Sequence, residues 1–142
     1  MRLPVASKSP GRRAPPIMVA HSFGCLATVS AAVDGRAIAG ALLVAPADPD
    51  RFGVGASLPA VRLPFPTTLV ASTNDPWLKF VKAGALAARW GSRFNGLRDA
   101  GHINAESRHG EWPSGFGLLV DLAERAAAEG TLRRTPTDSF AR

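Results

Sequence analysis

The sequence predicts an α/β fold, a parallel sheet covered on both faces by helices in three layers. Three observations lead there. Apolar, β-branched runs alternate with stretches of helical spacing between residues 17 and 129. The first run, Ile17-Met18-Val19-Ala20, is apolar at every position rather than at alternate ones, which is the character of a parallel strand. Finally, 142 residues with 46% apolar and 20% charged side chains supply one core of ordinary size and no second domain.

The elements follow in order. Strand Ile17–Ala20 leads into a helix over about Phe23–Val33, and a second strand covers Ala39–Val44. Residues 46–66 hold five prolines and read as a long loop at the C-terminal edge of the sheet, where ligands of such folds lie. In that loop Phe52, Leu58 and Phe65 either line a pocket or cover the sheet. Thr67–Ser72 is a third strand. Trp77–Trp90 is a helix with a core stripe of Trp77, Phe80, Val81, Gly84 and Ala88, ended by Gly91. Arg93–Leu97 is a fourth strand. Trp112-Pro113-Ser114 opens a last helix that packs through Phe116, Leu119, Ala123 and Ala126. The domain is expected over residues 16–129, between disordered tails at 1–15 and 130–142.

Charge and composition exclude several function classes. The net charge of +6 comes from the tails. Residues 1–16 carry Arg2, Lys8, Arg12 and Arg13 without an acid, and residues 131–142 carry Arg133, Arg134 and Arg142 against Asp138. Between them basic and acidic residues balance. Neither tail interleaves aromatics with its charges, so no specific nucleic-acid partner is expected. The chain has no apolar stretch near 18 residues and no secretory h-region, so no membrane partner is expected either, and the single cysteine, Cys25, fits a cytoplasmic location. The three histidines and Cys25 have no metal-ligand spacing, and no complete phosphate-binding glycine motif occurs, so no cofactor is implied.

The chemistry concentrates at Ala20-His21-Ser22-Phe23-Gly24. A serine hydroxyl becomes a useful nucleophile when it is exposed on a sharp strand-to-helix turn, which requires small residues two before and two after it. Ala20 and Gly24 stand there. An N-cap serine opening a helix would look similar. Two later positions favour catalysis. Asp75 follows strand Thr67–Ser72 in Thr73-Asn74-Asp75-Pro76, and His102 follows strand Arg93–Leu97 in Asp99-Ala100-Gly101-His102. Serine, acid, histidine is the chain order of α/β-hydrolases, each group at the same sheet edge. Asp75 before Pro76 also resembles a helix cap, and Asp99 and Asp48 are rival acids. His21 is expected to pack or hydrogen-bond near the elbow, His109 to be solvated, and Cys25 to be a buried small hydrophobe.

Val19-Ala20-His21-Ser22-Phe23-Gly24-Cys25, Ala71-Ser72-Thr73-Asn74-Asp75-Pro76, and Gly101-His102-Ile103-Asn104-Ala105-Glu106-Ser107 followed by Gly110-Glu111-Trp112-Pro113 closely resemble the small serine hydrolases of the retinoblastoma-binding-protein-nine type. The resemblance runs from about Pro16 to Glu129. It implies a three-layer α/β-hydrolase sheet and hydrolysis of a small-molecule carboxylic ester by Ser22, His102 and Asp75. Phe23 N–H would serve the oxyanion hole.

Those proteins also share an N-terminal strand, a Gly-containing loop with a downstream His-Trp pair, and a helix. Met1–Pro15 is instead rich in Arg, Pro and Ser. The expectation is therefore an N-terminally truncated fold in which the second oxyanion donor is missing, activity is weak, and an exposed sheet edge promotes self-association. The alternative is a catalytically silent remnant that acts by binding.

Overall fold

Four parallel strands form the sheet in the order β1-β2-β3-β4. They are β1 (Ile17–Ser22), β2 (Gly40–Pro46), β3 (Thr67–Ser72) and β4 (Arg93–Leu97). The computed structural model describes residues 13–58, 62–107 and 109–134. The tail segments 1–12 and 135–142 lie outside these residues.

Burial follows position in the sheet. β2 and β3 are buried at every residue, because each has a strand on both sides and helices on both faces. β1 and β4 pair on one side only among the described residues, and both alternate between half-buried and exposed positions. Helices α1 (Phe23–Val33) and α2 (Phe80–Trp90) lie on one face. There Cys25, Leu26 and Val29 of α1 and Ala83, Leu86 and Trp90 of α2 meet Ala41, Leu43, Leu69 and Ala71. Helix α3 (Pro113–Arg134) covers the other face, where Leu122 packs with Leu42, Val44 and Val70. The result is the expected three-layer α/β arrangement.

Several local expectations need correction. α2 begins at Phe80 rather than Trp77, because residues 73–77 are held in a loop by their own side chains: Asp75 Oδ1 accepts from Trp77 N–H at 2.9 Å. Its core face is Ala83, Leu86, Ala87 and Trp90, while Val81 is 85% exposed. The packing against β3 selects that face. Gly91 does end the helix, at φ 70°, a left-handed angle that favours glycine. α3 buries Leu122 and Ala126 but leaves Phe116 69% exposed. It also continues to Arg134, so the boundary read at residue 129 falls inside a helix. Leu58 and Phe65 cover the core.

Candidate active site

The site forms where the strands end. β1 runs into α1 without an intervening residue, and Ser22 makes the corner with φ 55° and ψ −123°. A non-glycine residue at positive φ is strained by about 1–3 kcal/mol and persists only where packing enforces it. The packing is visible on both sides of the corner. A Cβ on Gly24 would lie 3.8 Å from Ala20 Cβ, so the two small residues on either side of Ser22 face each other at contact distance. On the sheet side, β2 bulges: His21 pairs with Val44 but Ser22 pairs with Pro46, leaving Ala45 as the extra residue at φ 45°.

His102 and Asp75 arrive on loops from β4 and β3. His102 Nε2 lies 3.0 Å from Ser22 Oγ, and His102 Nδ1 lies 3.0 and 3.2 Å from the two oxygens of Asp75. The Asp75 side chain is 2% exposed and that of His102 11%. With Nδ1–H donating to the carboxylate, Nε2 is left as an acceptor facing the hydroxyl. The three residues are thus within hydrogen-bond reach across 80 positions of sequence. The rival acids are bonded to other groups. Asp48 lines the same cavity but pairs with Lys82 at 2.6 Å, and Asp99 accepts from the Thr73 hydroxyl at 3.5 Å.

The acid and histidine loops are tied directly to each other. Asp99 N–H donates to Thr73 Oγ1 at 2.9 Å, Ala100 N–H to Ser72 Oγ at 2.8 Å, and Gly101 N–H to Asn74 Oδ1 at 2.7 Å. Ser72 Oγ–H in turn donates to Asn74 Oδ1 at 2.8 Å. Ser72, Thr73 and Asn74 therefore set the spacing between Asp75 and His102. Short polar side chains that bond neighbouring backbone are typical of such loops, and that run was the available sign in the sequence. Asp99 and Ile103, on either side of His102, also hold positive φ, 49° and 53°.

His21 braces the opposite side. Its Nε2–H donates to the His102 carbonyl at 2.7 Å, and the two rings meet edge-on at 4.7 Å between centroids. His109 differs from expectation: its ring packs on Trp112 at 5.1 Å. Cys25 is fully buried. Burial pushes its thiol up to about 12, outweighing the bond it donates to Val44 O, so it is no nucleophile.

A cavity of about 180 Å³ opens between Ser22, Ala47, Asp48, Trp77 and His102, with Arg51 and Phe52 entering it from the short 3-10 turn Pro49–Phe52. Phe52 meets Phe23 edge-on at 5.0 Å between ring centroids, and Arg51 lies over the Trp77 ring at 5.7 Å. A larger apolar groove of about 630 Å³ lies at the other end of the sheet, against Ile17, Ile38 and Ala126, far from these groups.

The family profile for serine hydrolases matches residues 6–121. The chain belongs to the serine hydrolase family. Solved structures agree on the fold. A protein of Pectobacterium atrosepticum described as a YdeN-like hydrolase is 41% identical, superposes with a TM-score of 0.75, and is matched over 79% of this chain and 61% of its own. This serine hydrolase therefore spans about 61% of that relative's length. A protein of Agrobacterium tumefaciens described as an α/β hydrolase is 16% identical with a TM-score of 0.63, over 82% of this chain and 52% of its own. The esterase domain of a Rhodothermus marinus protein is 15% identical with a TM-score of 0.54, over 64% and 53% of the two chains. These two distant likenesses show the α/β-hydrolase fold alone. No curated protein matches the chain.

Proposed function

We propose that this serine hydrolase cleaves small carboxylic esters by covalent catalysis, with Ser22 as nucleophile, His102 as general base and acid, and Asp75 as the group that orients His102. One observation carries the reading: the Ser22 Oγ to His102 Nε2 to Asp75 carboxylate chain, at 3.0 Å for each link. Ser22 Oγ attacks the ester carbonyl while Nε2 takes its proton. The alcohol leaves with that proton, and a water deprotonated at Nε2 then releases the acid and frees the serine. Phe23, the first residue of α1, has a backbone N–H without an intrahelical acceptor. It would donate to the developing oxyanion, a contact worth on the order of 10²–10³-fold in kcat.

We further propose, from the resemblance of the motifs around Ser22, Asp75 and His102, that within the family this chain is of the retinoblastoma-binding-protein-nine type. The test is hydrolysis of p-nitrophenyl acetate by the full chain and by Asp75→Asn. The amide keeps the size of the carboxylate but favours the wrong imidazole tautomer, so kcat should fall by about 10⁴-fold with the fold intact by circular dichroism. An Asp75→Asn variant as active as the parent would remove Asp75 from the mechanism.

A further inference from the structure

The wall of the cavity opposite Trp77 is not part of the sheet. It is the 3-10 turn Pro49–Phe52, four residues that carry Arg51 and Phe52 into the site and whose Phe52 is 54% exposed. The turn closes with its own local bonds, from Arg51 N–H to Asp48 O at 3.1 Å, Gly53 N–H to Asp50 O at 3.3 Å and Val54 N–H to Pro49 O at 3.1 Å. A tie to the neighbouring helix is added from the far side. Lys82, on the first turn of α2, reaches Asp48 at 2.6 Å and also pairs with Asp50, bridging the residue before the turn to one inside it. Asp48 Oδ1 further accepts from Asp50 N–H at 3.0 Å, so the ammonium closes a ring of contacts around the start of the turn. Burial raises the Asp48 carboxyl, but the Lys82 hydrogen bond and the Asp50 N–H more than offset it, leaving Asp48 below its ordinary value. The bonds to Asp48 and Asp50 hold Lys82 above its own. Lys82 does not line the cavity. It reaches the site through Asp48, which caps the turn and lines the cavity, and through the turn itself.

We propose that Lys82 is a positioning residue which, by bridging Asp48 and Asp50, fixes the Pro49–Phe52 turn as the end wall of the acyl cavity and so limits the site to esters of short acyl groups. The inference rests on the ester-hydrolase reading above and adds the substrate class. A cavity of about 180 Å³ is well below the roughly 300–1,000 Å³ of sites for drug-sized ligands. With Phe52 against Phe23 and Trp77 opposite, an acyl chain that outgrows the cavity must displace the turn. That displacement breaks the Lys82 contacts first. Methionine at 82 keeps the length of the side chain and removes the charge, and arginine restores the bridge.

The experiment measures kcat/KM of the full chain on p-nitrophenyl acetate, butyrate and octanoate, for the parent, Lys82→Met, Lys82→Arg and Phe52→Ala. One methylene in an apolar pocket changes kcat/KM by about tenfold or more. The parent should therefore favour acetate and butyrate over octanoate by at least about tenfold. Lys82→Met should bring octanoate to within about threefold of butyrate through a lower KM for octanoate, Lys82→Arg should return the parent profile, and Phe52→Ala should relax the limit directly. Circular dichroism checks that each variant is folded, and Phe52→Ala decides the wall's role if Lys82→Met is not. A Lys82→Met profile equal to the parent's, or a parent that takes octanoate as readily as acetate, would overturn the proposal while leaving the ester-hydrolase reading in place. No hydrolysis of any ester, with no phosphonylation of Ser22, would overturn both.

Discussion

Ser22, the proposed nucleophile, sits at a strained backbone angle. Its φ of 55° and ψ of −123° are open to glycine and costly for serine, by about 1–3 kcal/mol. The other non-glycine residues at positive φ are Ala45, Asp99 and Ile103. The latter two flank His102, and Ala45 is the bulge opposite Ser22. Strain therefore collects where the three polar groups meet, as it does at sites where geometry has been kept at the expense of stability. Ser22→Gly should consequently gain about 1 kcal/mol in urea unfolding while losing all esterase activity. Ser22→Ala keeps the strained angle and should show no such gain. Equal stabilities for the parent and Ser22→Gly would mean that the corner is not strained. At this scale the sequence was informative about identity and silent about angle. Ser22, Asp75 and His102 were legible from order and spacing, whereas Trp77 was read as a core residue and is in fact 54% exposed beside His102. Its local spacing is helical. Only the side-chain bonds of the preceding loop reveal that the helix has not yet begun.

Among the elements, the loops after β3 and β4 work as one unit. Asn74 Oδ1 accepts from both Ser72 Oγ and Gly101 N–H, so the loop that presents Asp75 also holds the loop that presents His102. Asn74→Ala should lower kcat by on the order of 10²-fold, the cost of misplacing a reacting group by about 1 Å. KM should change little, because Asn74 does not line the cavity. A rise in KM at constant kcat would place Asn74 in substrate binding instead. α1, β3 and β4 were legible to the residue, since each is a short uninterrupted pattern bounded by a turn. β1 and β2 each extend two residues further than their apolar runs, because the Ser22–Pro46 pairing carries both strands on past the bulge at Ala45. The face of α3 was misjudged at Phe116. Periodicity alone does not say which apolar stripe meets the sheet, and the contact of α3 with β2 selects Leu122 and Ala126.

The whole molecule has an asymmetric sheet. β4 and β1 are its edges among the described residues, and β1 is the more apolar, with Val19 59% exposed. Such an edge pairs readily with another chain. We expect the chain to self-associate, with the sedimentation coefficient rising with concentration, and Val19→Lys to reduce that association. A monomer at all concentrations would show the edge to be covered. The central claim is that Ser22, activated by His102, is the nucleophile, and labelling with a fluorophosphonate read by mass spectrometry tests it most directly. The probe should modify Ser22 alone, and the modification should disappear in both Ser22→Ala and His102→Ala. Undiminished labelling of Ser22→Ala, or full labelling of Ser22 without His102, would contradict it.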